Sequence, residues 1–316
     1  MTRNLLELDD LSVDEFARIV ALAEAGGVAG SLQGRSAALV FEKPSARTRN
    51  ATELAVHDLD GYAVVIYDQE VDIDSRESAE DVARTLAAFH DLICIRVRDH
   101  EVLTRMASSL EAHGMKVPLV NLLSDRAHPC QALADLLTLR ELFGASGAHI
   151  HALAGKTVAW VGDANNVAAS LIHACLMANI SVRLAAPEAF QFSQSQMAAF
   201  AARAQAISSS AAVTQFSDPK QAVQGVVAIA TDVWTSMGQE AERADRLKAF
   251  AGFSVDETLM AAAAPEAIFL HCLPAHRGEE VSEAVLEAPY SAVWRQVVHR
   301  RTAMLGIFSW LAEVNR

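Results

Sequence analysis

The sequence predicts an α/β protein with two domains, each a parallel β-sheet flanked by helices. Three observations predict this class. Short apolar runs alternate with amphipathic helical patterns, the alternation is interrupted once near residue 150, and the chain has 316 residues, of which 52% are hydrophobic. A chain of this length and composition can form two hydrophobic cores of ordinary size.

The first half alternates four strand-like runs with three helical patterns. The apolar runs are SAALVF, YAVVIYD, LICIRV and VPLVNLL. Between them lie ATELAVHDL, AEDVARTLAAF and EVLTRMASSLEA, in which apolar residues recur at intervals of three and four. Such a β-α-β series forms a parallel sheet with helices on both faces. The carboxyl ends of the strands then meet at one crevice, where ligands of such sheets bind.

The second half repeats this organisation after the Gly/Ala-rich stretch ASGAHIHALAG. Its predicted strands are KTVAWVGD, SVRLAAP, VVAIATDVW and AIFLHCLP, and its helices are NVAASLIHACLMA and SQMAAFAARAQA. The last segment, SAVWRQVVHRRTAMLGIFSWLAEV, is one long amphipathic helix. We therefore expect a first domain over residues 1–147, a second over 148–290 and a C-terminal helix over 291–316.

Composition excludes several classes of function. The formal charge of −13, from 26 basic and 39 acidic residues, argues against nucleic acid or an anionic membrane as a partner. No apolar run reaches 18 residues, and the start MTRNLLELDD has no signal-peptide pattern, so we expect a cytoplasmic protein. The four cysteines form no CxxC pair, which indicates buried apolar residues and neither a disulfide framework nor a zinc ribbon.

The stretch FEKPSARTRN suggests an anion site at the end of the first strand. Ser45 follows the strand and opens a helix, so its hydroxyl and the free N–H groups of the first turn suit a phosphate. Arg47 and Thr48 add a forked cation and a hydroxyl at the same point. Arg96 closes the run LICIRV at another strand end. The alternative is a capped helix with arginines on the surface.

Two further stretches carry polar groups at helix starts. In HPCQALAD, Pro129 suits a first helical position, and His128 and Gln131, three residues apart, can face one ligand and polarise a carbonyl oxygen. The alternative is a capping histidine with an exposed glutamine. VGDANNVAASL lacks the glycines of G-x-G-x-x-G, so we expect no dinucleotide cofactor, and Asn166 is available to a smaller polar ligand.

Two loops in the second half follow apolar runs, TDVWTSMGQE and HCLPAHRGEE. Asp232 is an acid at a strand end and can hold a cationic amine. His271, Cys272 and His276 can also be interpreted as metal ligands, but the sequence offers neither a cysteine pair nor an HExxH helix to complete a zinc site. We therefore expect no metal.

Taken together, these motifs resemble the aspartate/ornithine carbamoyltransferase family over nearly the whole chain. FEKPSARTR resembles its carbamoyl phosphate motif and HPCQALADLLT its HPxQxLAD helix. GDANNVAASL, DVWTSMGQE and HCLPAHRG are similar to the ornithine branch in particular, above all the Ser-Met-Gly triplet. The resemblance implies that the C-terminal helix packs back on the first domain.

The resemblance also assigns roles to individual residues. It implies a carbamoyl phosphate site formed by Ser45, Ala46, Arg47, Thr48, Arg96, His128, Gln131, Leu273 and Arg300, with Arg301 as a substitute for Arg300. It implies an ornithine site formed by Asn166, Asp232, Ser236, Met237 and Cys272. Arg96, His128, Asp232 and Cys272 are the expected catalytic residues.

The implied reaction transfers the carbamoyl group of carbamoyl phosphate to the δ-amine of L-ornithine. The products are L-citrulline and phosphate, a step of arginine biosynthesis or of the urea-cycle type. The resemblance implies no cofactor and a homotrimer with active sites between subunits. Two departures from the family pattern are Ala46, where a threonine is usual, and the acidic loop YDQEVDIDSRES. The alternatives are transfer to another amine, such as N-acylornithine or putrescine, and a non-catalytic carbamoyl phosphate-binding paralogue.

Overall fold

A computed structural model describes residues 2–235 and 240–315 of the chain. The chain divides into two compact units. Unit 1 comprises residues up to Leu137 together with those from Val298 onward, and unit 2 runs from Thr138 to Val297. The domain limits predicted from the sequence stay a prediction.

Unit 1 contains four strands and the helices that connect them. Its elements are α1 (Val13–Glu24), β1 (Ser36–Phe41), α2 (Ala46–Asp58), β2 (Tyr62–Tyr67), α3 (Asp68–Val71), α4 (Ala79–Phe89), β3 (Leu92–Arg96), α5 (His100–Ala112), β4 (Leu119–Leu123) and α6 (Pro129–Leu142), after a 3₁₀ turn at Leu8–Asp10.

Unit 2 contains five strands and the helices that connect them, and it ends within the long C-terminal helix, most of which belongs to unit 1. Its elements are β5 (Thr157–Val161), α7 (Asn166–Met177), β6 (Ser181–Ala185), α8 (Gln194–Ala206), β7 (Val213–Phe216), α9 (Pro219–Val223), β8 (Ala228–Thr231), α10 (Arg243–Ala249), α11 (Glu257–Met260), β9 (Ile268–His271), α12 (Glu283–Leu286) and α13 (Val293–Val314). Three 3₁₀ turns are interspersed at Ile150–Leu153, Glu188–Phe190 and Glu240–Glu242. The unit boundaries at Leu137 and Val297 fall within α6 and α13.

The sheet of unit 1 has the strand order β2-β1-β3-β4, and all its strands are parallel. The chain leaves β1 toward β2 on one side and later returns to β3 on the other, so the strand order reverses between β1 and β3. In open parallel sheets, ligands bind at the carboxyl ends of the two strands that flank such a reversal. This point coincides with the ends of SAALVF and LICIRV, where the sequence predicts an anion site.

The sheet of unit 2 has the order β7-β6-β5-β8-β9 and is also fully parallel. Its strand order reverses between β5 and β8. The loop that begins at Gly162 follows β5, and Asp232 follows β8 directly. The predicted fold class is confirmed, and each unit has a ligand-binding switch point of the kind that parallel sheets provide.

Both sheets are buried on their helical faces. In unit 1, Ala38 and Val40 of β1 pack with Ile93 and Ile95 of β3 in a core that α4 and α5 complete. In unit 2, Ala159, Ile229 and Phe269, from three neighbouring strands, share one core. These near-continuous apolar strands are typical of parallel sheets covered on both sides.

The end of α13 packs against the first helix of unit 1. Ser309 Oγ accepts a hydrogen bond of 2.9 Å from the N–H of Val28, and Arg18 forms an ion pair with Glu313. Gly306 allows the closest approach, because a Cβ at this position would lie 2.5 Å from the carbonyl oxygen of Ile19. The predicted return of the C-terminal helix to the first domain is confirmed.

Across residues 2–235 and 240–315, each helix is too short or too polar to cross a membrane. All four cysteines are free thiols. Cys94, Cys130 and Cys175 are buried, as predicted, whereas Cys272 is half-buried. Burial raises the pKa of Cys130 to about 12, so this thiol stays protonated.

Candidate active site

The turn after β1 places Ser45 at the N-terminus of α2. Ser45 Oγ accepts the N–H of Thr48 at 3.3 Å and donates its own hydrogen to Thr48 Oγ1 at 3.1 Å. The predicted helix cap is confirmed. Because the first N–H groups of a helix lack intrahelical partners, those of Ala46 and Arg47 are suited to an anion at this end.

Arg96 lies at the matching end of β3, in register with Phe41 of β1. The pairing of β3 with β4 shifts between Ile95 and Arg96, as in a β-bulge. Bulges redirect a side chain at the end of a strand and are frequent beside functional sites. Arg96 is only 7% exposed, so it is not an arginine on the surface.

A chain of hydrogen bonds links Arg300 to the start of α2 and to α6. Arg300 Nη2 donates to Thr48 Oγ1 at 2.9 Å, and Nη1 donates to Gln131 Oε1. Gln131 Nε2 in turn donates to Asp135 Oδ1 at 2.6 Å. All four side chains are buried, with no more than 6% exposure. The fork of one guanidinium therefore fixes the positions of a hydroxyl and an amide that lie on different helices.

Arg301, the substitute that the sequence offered for Arg300, points elsewhere. Its guanidinium forms two hydrogen bonds of 2.5 Å with the carboxylate of Asp58 at the surface. Of the two arginines, the structure brings Arg300 into the cluster with Thr48 and Gln131.

His128 precedes α6, which begins at Pro129 as predicted. The pKa of His128 lies well below its usual value, first because of burial and then because of the positive charges of Arg300, Arg96 and Arg47. His128 is therefore neutral at pH 7. A neutral imidazole has one N–H to donate, and three guanidinium groups create a local positive field in a protein of net charge −13.

In unit 2, Asp232 is the centre of a second polar cluster. Its Oδ1 accepts the Cys272 thiol at 3.0 Å and the N–H of Val233 at 2.8 Å, and its Oδ2 accepts Asn165 Nδ2 at 3.0 Å. Asp232 is 8% exposed. A mostly buried carboxylate with such donors is held in one orientation and can attract a cationic amine.

The segment after β9 is fixed by a histidine and an acid. Leu273 donates its N–H to His271 Nδ1 at 2.9 Å, and His271 Nε2 lies 3.2 Å from Glu280 Oε1. Leu273 has a φ of 59°, a left-handed conformation that is rare for non-glycine residues and that clusters at functional sites. The backbone beside Cys272 is therefore held in an unusual conformation by buried polar contacts.

Arg246 anchors the loops that follow β5 and β8. Its Nη1 donates to Asp163 Oδ2 at 2.8 Å and to the carbonyl of Trp234 at 3.1 Å, and its guanidinium stacks over Phe190 at 4.9 Å. Burial raises the pKa of Asp163, although the hydrogen bond from Arg246 acts in the opposite direction. Asp163 and Arg246 were not predicted as site residues.

The structure separates the predicted site residues into two groups. Unit 1 brings together Ser45, Arg47, Thr48, Arg96, His128, Gln131 and Arg300, whereas unit 2 holds Asp232 and Cys272 in contact. Ala46 is the exposed first residue of α2, and Asn166 is the half-buried first residue of α7. Ser236 and Met237 lie outside the described residues.

Sequence reasoning missed two polar residues beside its own predictions. Asn165 caps α7 and contacts Asp232, although the sequence pointed to its neighbour Asn166. Asp135 orients Gln131 from one helical turn away. The capping preference of asparagine and the i, i+4 spacing of Gln131 and Asp135 were the available signals.

The acidic loop after β2 is partly neutralised within unit 1. Asp74 forms hydrogen bonds of 2.6 and 2.9 Å with Arg105, which lowers the pKa of this carboxyl group. Glu70 accepts the N–H of Tyr67 at 2.7 Å. Ser75 and Arg76 are exposed at the tip of the loop.

The fold and these two clusters define a class of α/β protein with two parallel-sheet units. One unit carries a cluster of arginines around a neutral histidine, and the other carries a mostly buried acid. Family comparisons identify the class further. The model for the aspartate/ornithine carbamoyltransferase carbamoyl-P binding domain matches residues 3–141, and that for the Asp/Orn binding domain matches residues 154–311. The chain belongs to the aspartate/ornithine carbamoyltransferase family.

Similar proteins span almost the same length. An ornithine carbamoyltransferase from Thermus thermophilus is 46% identical over 85% of this chain and 82% of its own. One from Acidothermus cellulolyticus is 43% identical over 99% of this chain and 97% of its own. The solved structure of the ornithine carbamoyltransferase from Pyrococcus furiosus has a TM-score of 0.88 at 37% identity and covers 96% of this chain and 95% of its own.

Proposed function

We propose that this protein transfers the carbamoyl group of carbamoyl phosphate to the δ-amine of L-ornithine and releases L-citrulline and phosphate. The observation that carries the proposal is the cluster around the buried Arg300, in which three arginines, a neutral histidine and two hydroxyl groups are available to one anionic acyl donor. Membership of the family and the names of the relatives support it.

Carbamoyl phosphate binds with its phosphate at the N-terminus of α2. The Ser45 hydroxyl, the N–H groups at Ala46 and Arg47, and the guanidinium groups of Arg47 and Arg96 hold the phosphate oxygens. Thr48 Oγ1 accepts hydrogens from Ser45 and Arg300, so its own hydrogen remains to be donated to the ligand. The missing side-chain hydroxyl at Ala46 costs about 1 kcal/mol of phosphate affinity.

The carbamoyl group lies beside His128, Gln131 and Arg300 of unit 1, and the family resemblance also implies a contact with the Leu273 backbone. Arg96, His128 and Thr48 donate hydrogen bonds to the carbonyl oxygen, which gains negative charge in the transition state. Gln131 is held by Arg300 and Asp135 and contacts the carbamoyl amide. Because the neutral form of His128 is favoured by burial, it donates a hydrogen bond without transferring a proton.

Ornithine binds to unit 2. Asn166 and Asp232 hold its amino-acid end, together with Ser236 and Met237 as the family resemblance implies. Cys272 and the Leu273 backbone lie beside the δ-amine. The contacts that Asp232 makes with Asn165 and Cys272 keep its carboxylate in position.

The chemical step is a direct acyl transfer. The δ-amine, with a pKa near ~10 in water, loses one proton to solvent water before attack, and the positive field of the arginines favours this loss. Its lone pair forms the new C–N bond, the C–O bond to phosphate breaks, and the bonding electrons leave with the phosphate. The second amine proton is transferred to a phosphate oxygen. Positioning and electrostatic stabilisation by this chain's own residues supply the catalysis.

Citrulline release from purified protein tests the proposal. We expect citrulline from carbamoyl phosphate with L-ornithine, and far less product with N-acetylornithine, putrescine or L-aspartate. Product from one of these other amines would leave the unit 1 assignments intact and overturn those in unit 2. Binding of carbamoyl phosphate by calorimetry without product from any amine would indicate a non-catalytic paralogue.

We further propose a homotrimer in which the loop around Ser75 and Arg76 reaches a neighbouring subunit's phosphate site. Exposure of these two side chains supports this role, and Asp74 is already occupied by Arg105. Light scattering measures the mass of the assembly and so tests the trimer. If the loop acts in trans, a mixture of an inactive Ser75/Arg76 double variant with an inactive Arg96→Ala variant regains activity, whereas a loop that acts in cis gives none. Cytoplasmic location stays a prediction.

A further inference from the structure

Three potential metal ligands lie together in the segment that follows β9, and the proposed reaction uses none of them. One side-chain donor atom from each of His276, Glu279 and Glu280 lies within 4.8 Å of the other two. All three residues belong to unit 2. Clusters of acids are common at protein surfaces without a bound metal. The burial and hydrogen bonds of each donor atom therefore decide whether this cluster is a binding site.

Glu280 is fully buried and only half satisfied. Its Oε1 accepts the N–H of His276 at 2.5 Å and lies 3.2 Å from His271 Nε2. Its Oε2 is also buried, and within residues 2–235 and 240–315 it has no hydrogen-bond partner. A buried carboxylate oxygen requires a hydrogen-bond donor or a cation. This oxygen therefore indicates a ligand that the polypeptide itself does not provide.

His276 and Glu279 each have a donor atom close to the other. His276 Nδ1 is buried, makes no hydrogen bond in the described part of the chain and lies 3.6 Å from Glu279 Oε2. The other oxygen of Glu279, Oε1, forms an ion pair with Arg243. Each acid thus has one oxygen held by the protein, and the second oxygen of Glu279 lies beside His276 Nδ1.

We infer that His276, Glu279 and Glu280 form a binding site for a divalent transition-metal ion of the zinc class. One imidazole and two carboxylates are a three-ligand set that leaves a fourth position for water. Metal–ligand bonds of about 2.0–2.1 Å place tetrahedral ligand atoms about 3.4 Å apart, so a small rotation of the side chains closes the observed spacing. Arg243 and His271 then act as the outer partners that orient the two carboxylates.

A second group of possible ligands in unit 2, Asp232, His271 and Cys272, is a weaker candidate. The Cys272 thiol already donates to Asp232, and His271 is engaged at both ring nitrogens, by Leu273 and by Glu280. A metal here would have to break these contacts, whereas a metal at Glu280 completes an unsatisfied group.

Zinc titration of tag-free, chelator-treated protein tests the site. Isothermal titration calorimetry with ZnCl₂ is performed on the wild-type chain and on His276→Ala and Glu279→Gln, whose side chains are partly exposed, so folding is retained and checked by circular dichroism. Glu283→Gln, at a neighbouring exposed acid, is the matched control. Cys272→Ala reports on the alternative cluster.

We expect one equivalent of Zn²⁺ in the wild type, Glu283→Gln and Cys272→Ala. His276→Ala and Glu279→Gln should each bind at least 10- to 100-fold more weakly, the loss that even an outer-shell partner causes. Substitution with Co²⁺ should give visible bands without a sulfur-to-cobalt charge-transfer band. The inference is overturned if the wild type binds no Zn²⁺, if both ligand variants bind as tightly as the wild type, or if binding is lost in Cys272→Ala.

Discussion

Arg300→Lys is the sharpest test of the carbamoyl phosphate cluster, because the next residue in the chain provides its control. The arginine fork donates to Thr48 Oγ1 at 2.9 Å and to Gln131 Oε1 at the same time. A lysine keeps the positive charge but has one compact ammonium group, which cannot reproduce the planar fork. The variant therefore loses the planar fork of the guanidinium and keeps the positive charge.

The size of the effect follows from the number of hydrogen bonds lost. Lysine can retain one of the two contacts, so at least one charge-assisted hydrogen bond disappears, worth about 1.5–3 kcal/mol. Since about 1.4 kcal/mol corresponds to a factor of ten, kcat/KM for carbamoyl phosphate should fall roughly 10- to 150-fold. Arg301→Lys changes an exposed ion pair with Asp58 that lies outside the cluster, so its kcat/KM should stay close to the wild-type value.

Initial rates of citrulline formation with carbamoyl phosphate varied at saturating ornithine measure both variants. Thermal melts check that each variant is folded. Wild-type kinetics for Arg300→Lys, or a larger loss for Arg301→Lys than for Arg300→Lys, would refute the assignment of Arg300 and the role given to its fork.

Three further predictions concern pH, substrate recognition and packing. Because the pKa of His128 is lowered in the folded protein, the unfolded chain binds a proton at His128 more readily than the folded chain does. The free energy of unfolding is therefore unaffected by protonation of this residue above pH ~6.5. Below that pH it falls by up to about 1.36 kcal/mol per pH unit, until the pH reaches the folded-state pKa. Denaturant unfolding from pH 7.5 to 5.5 should show a flatter loss in His128→Gln than in the wild type, and equal slopes, or the same flattening in exposed His57→Gln, would contradict this. Asp232→Asn should raise the KM for ornithine roughly 10- to 150-fold, because a charge-assisted interaction with the amine is lost. The Kd for carbamoyl phosphate, measured by calorimetry, should stay unchanged. A changed Kd for carbamoyl phosphate with an unchanged KM for ornithine would count against the role of Asp232. Gly306→Ala should destabilise unit 1 by about 1–3 kcal/mol, because its Cβ meets backbone at 2.5 Å, and a thermal midpoint equal to that of the wild type would disprove the close approach.

The sequence predicted most of the fold because parallel sheets have a strong local signature. Their strands are buried on both faces and therefore appear as continuous apolar runs. The exception is β7 (Val213–Phe216), an edge strand with half-exposed residues that the sequence analysis did not predict. The four residues VTQF, of which two are apolar, are too few to show a periodicity. Its pairing with β6 is decided by tertiary context.

Site residues were predictable where local structure positions them and unpredictable where a distant contact does. Ser45 and His128 stand at helix starts, which sequence patterns mark. The choice between Arg300 and Arg301 needed the register of α13 against α6, because only the angular position on the helix decides which arginine meets Gln131. Arg246 reaches Asp163 across 83 positions of the chain, and no local pattern encodes such a pair.

The two sheets have the same kind of topology but carry groups of opposite charge at their strand-order reversals. In unit 1 the strand-order reversal collects arginines around His128, and in unit 2 the corresponding point presents Asp232. Burial strengthens both fields, since charges interact more strongly when water is removed. Under the proposed function, the anionic donor binds to unit 1 and the cationic acceptor to unit 2, and the three arginines around His128 provide a local positive field that the net charge of −13 does not.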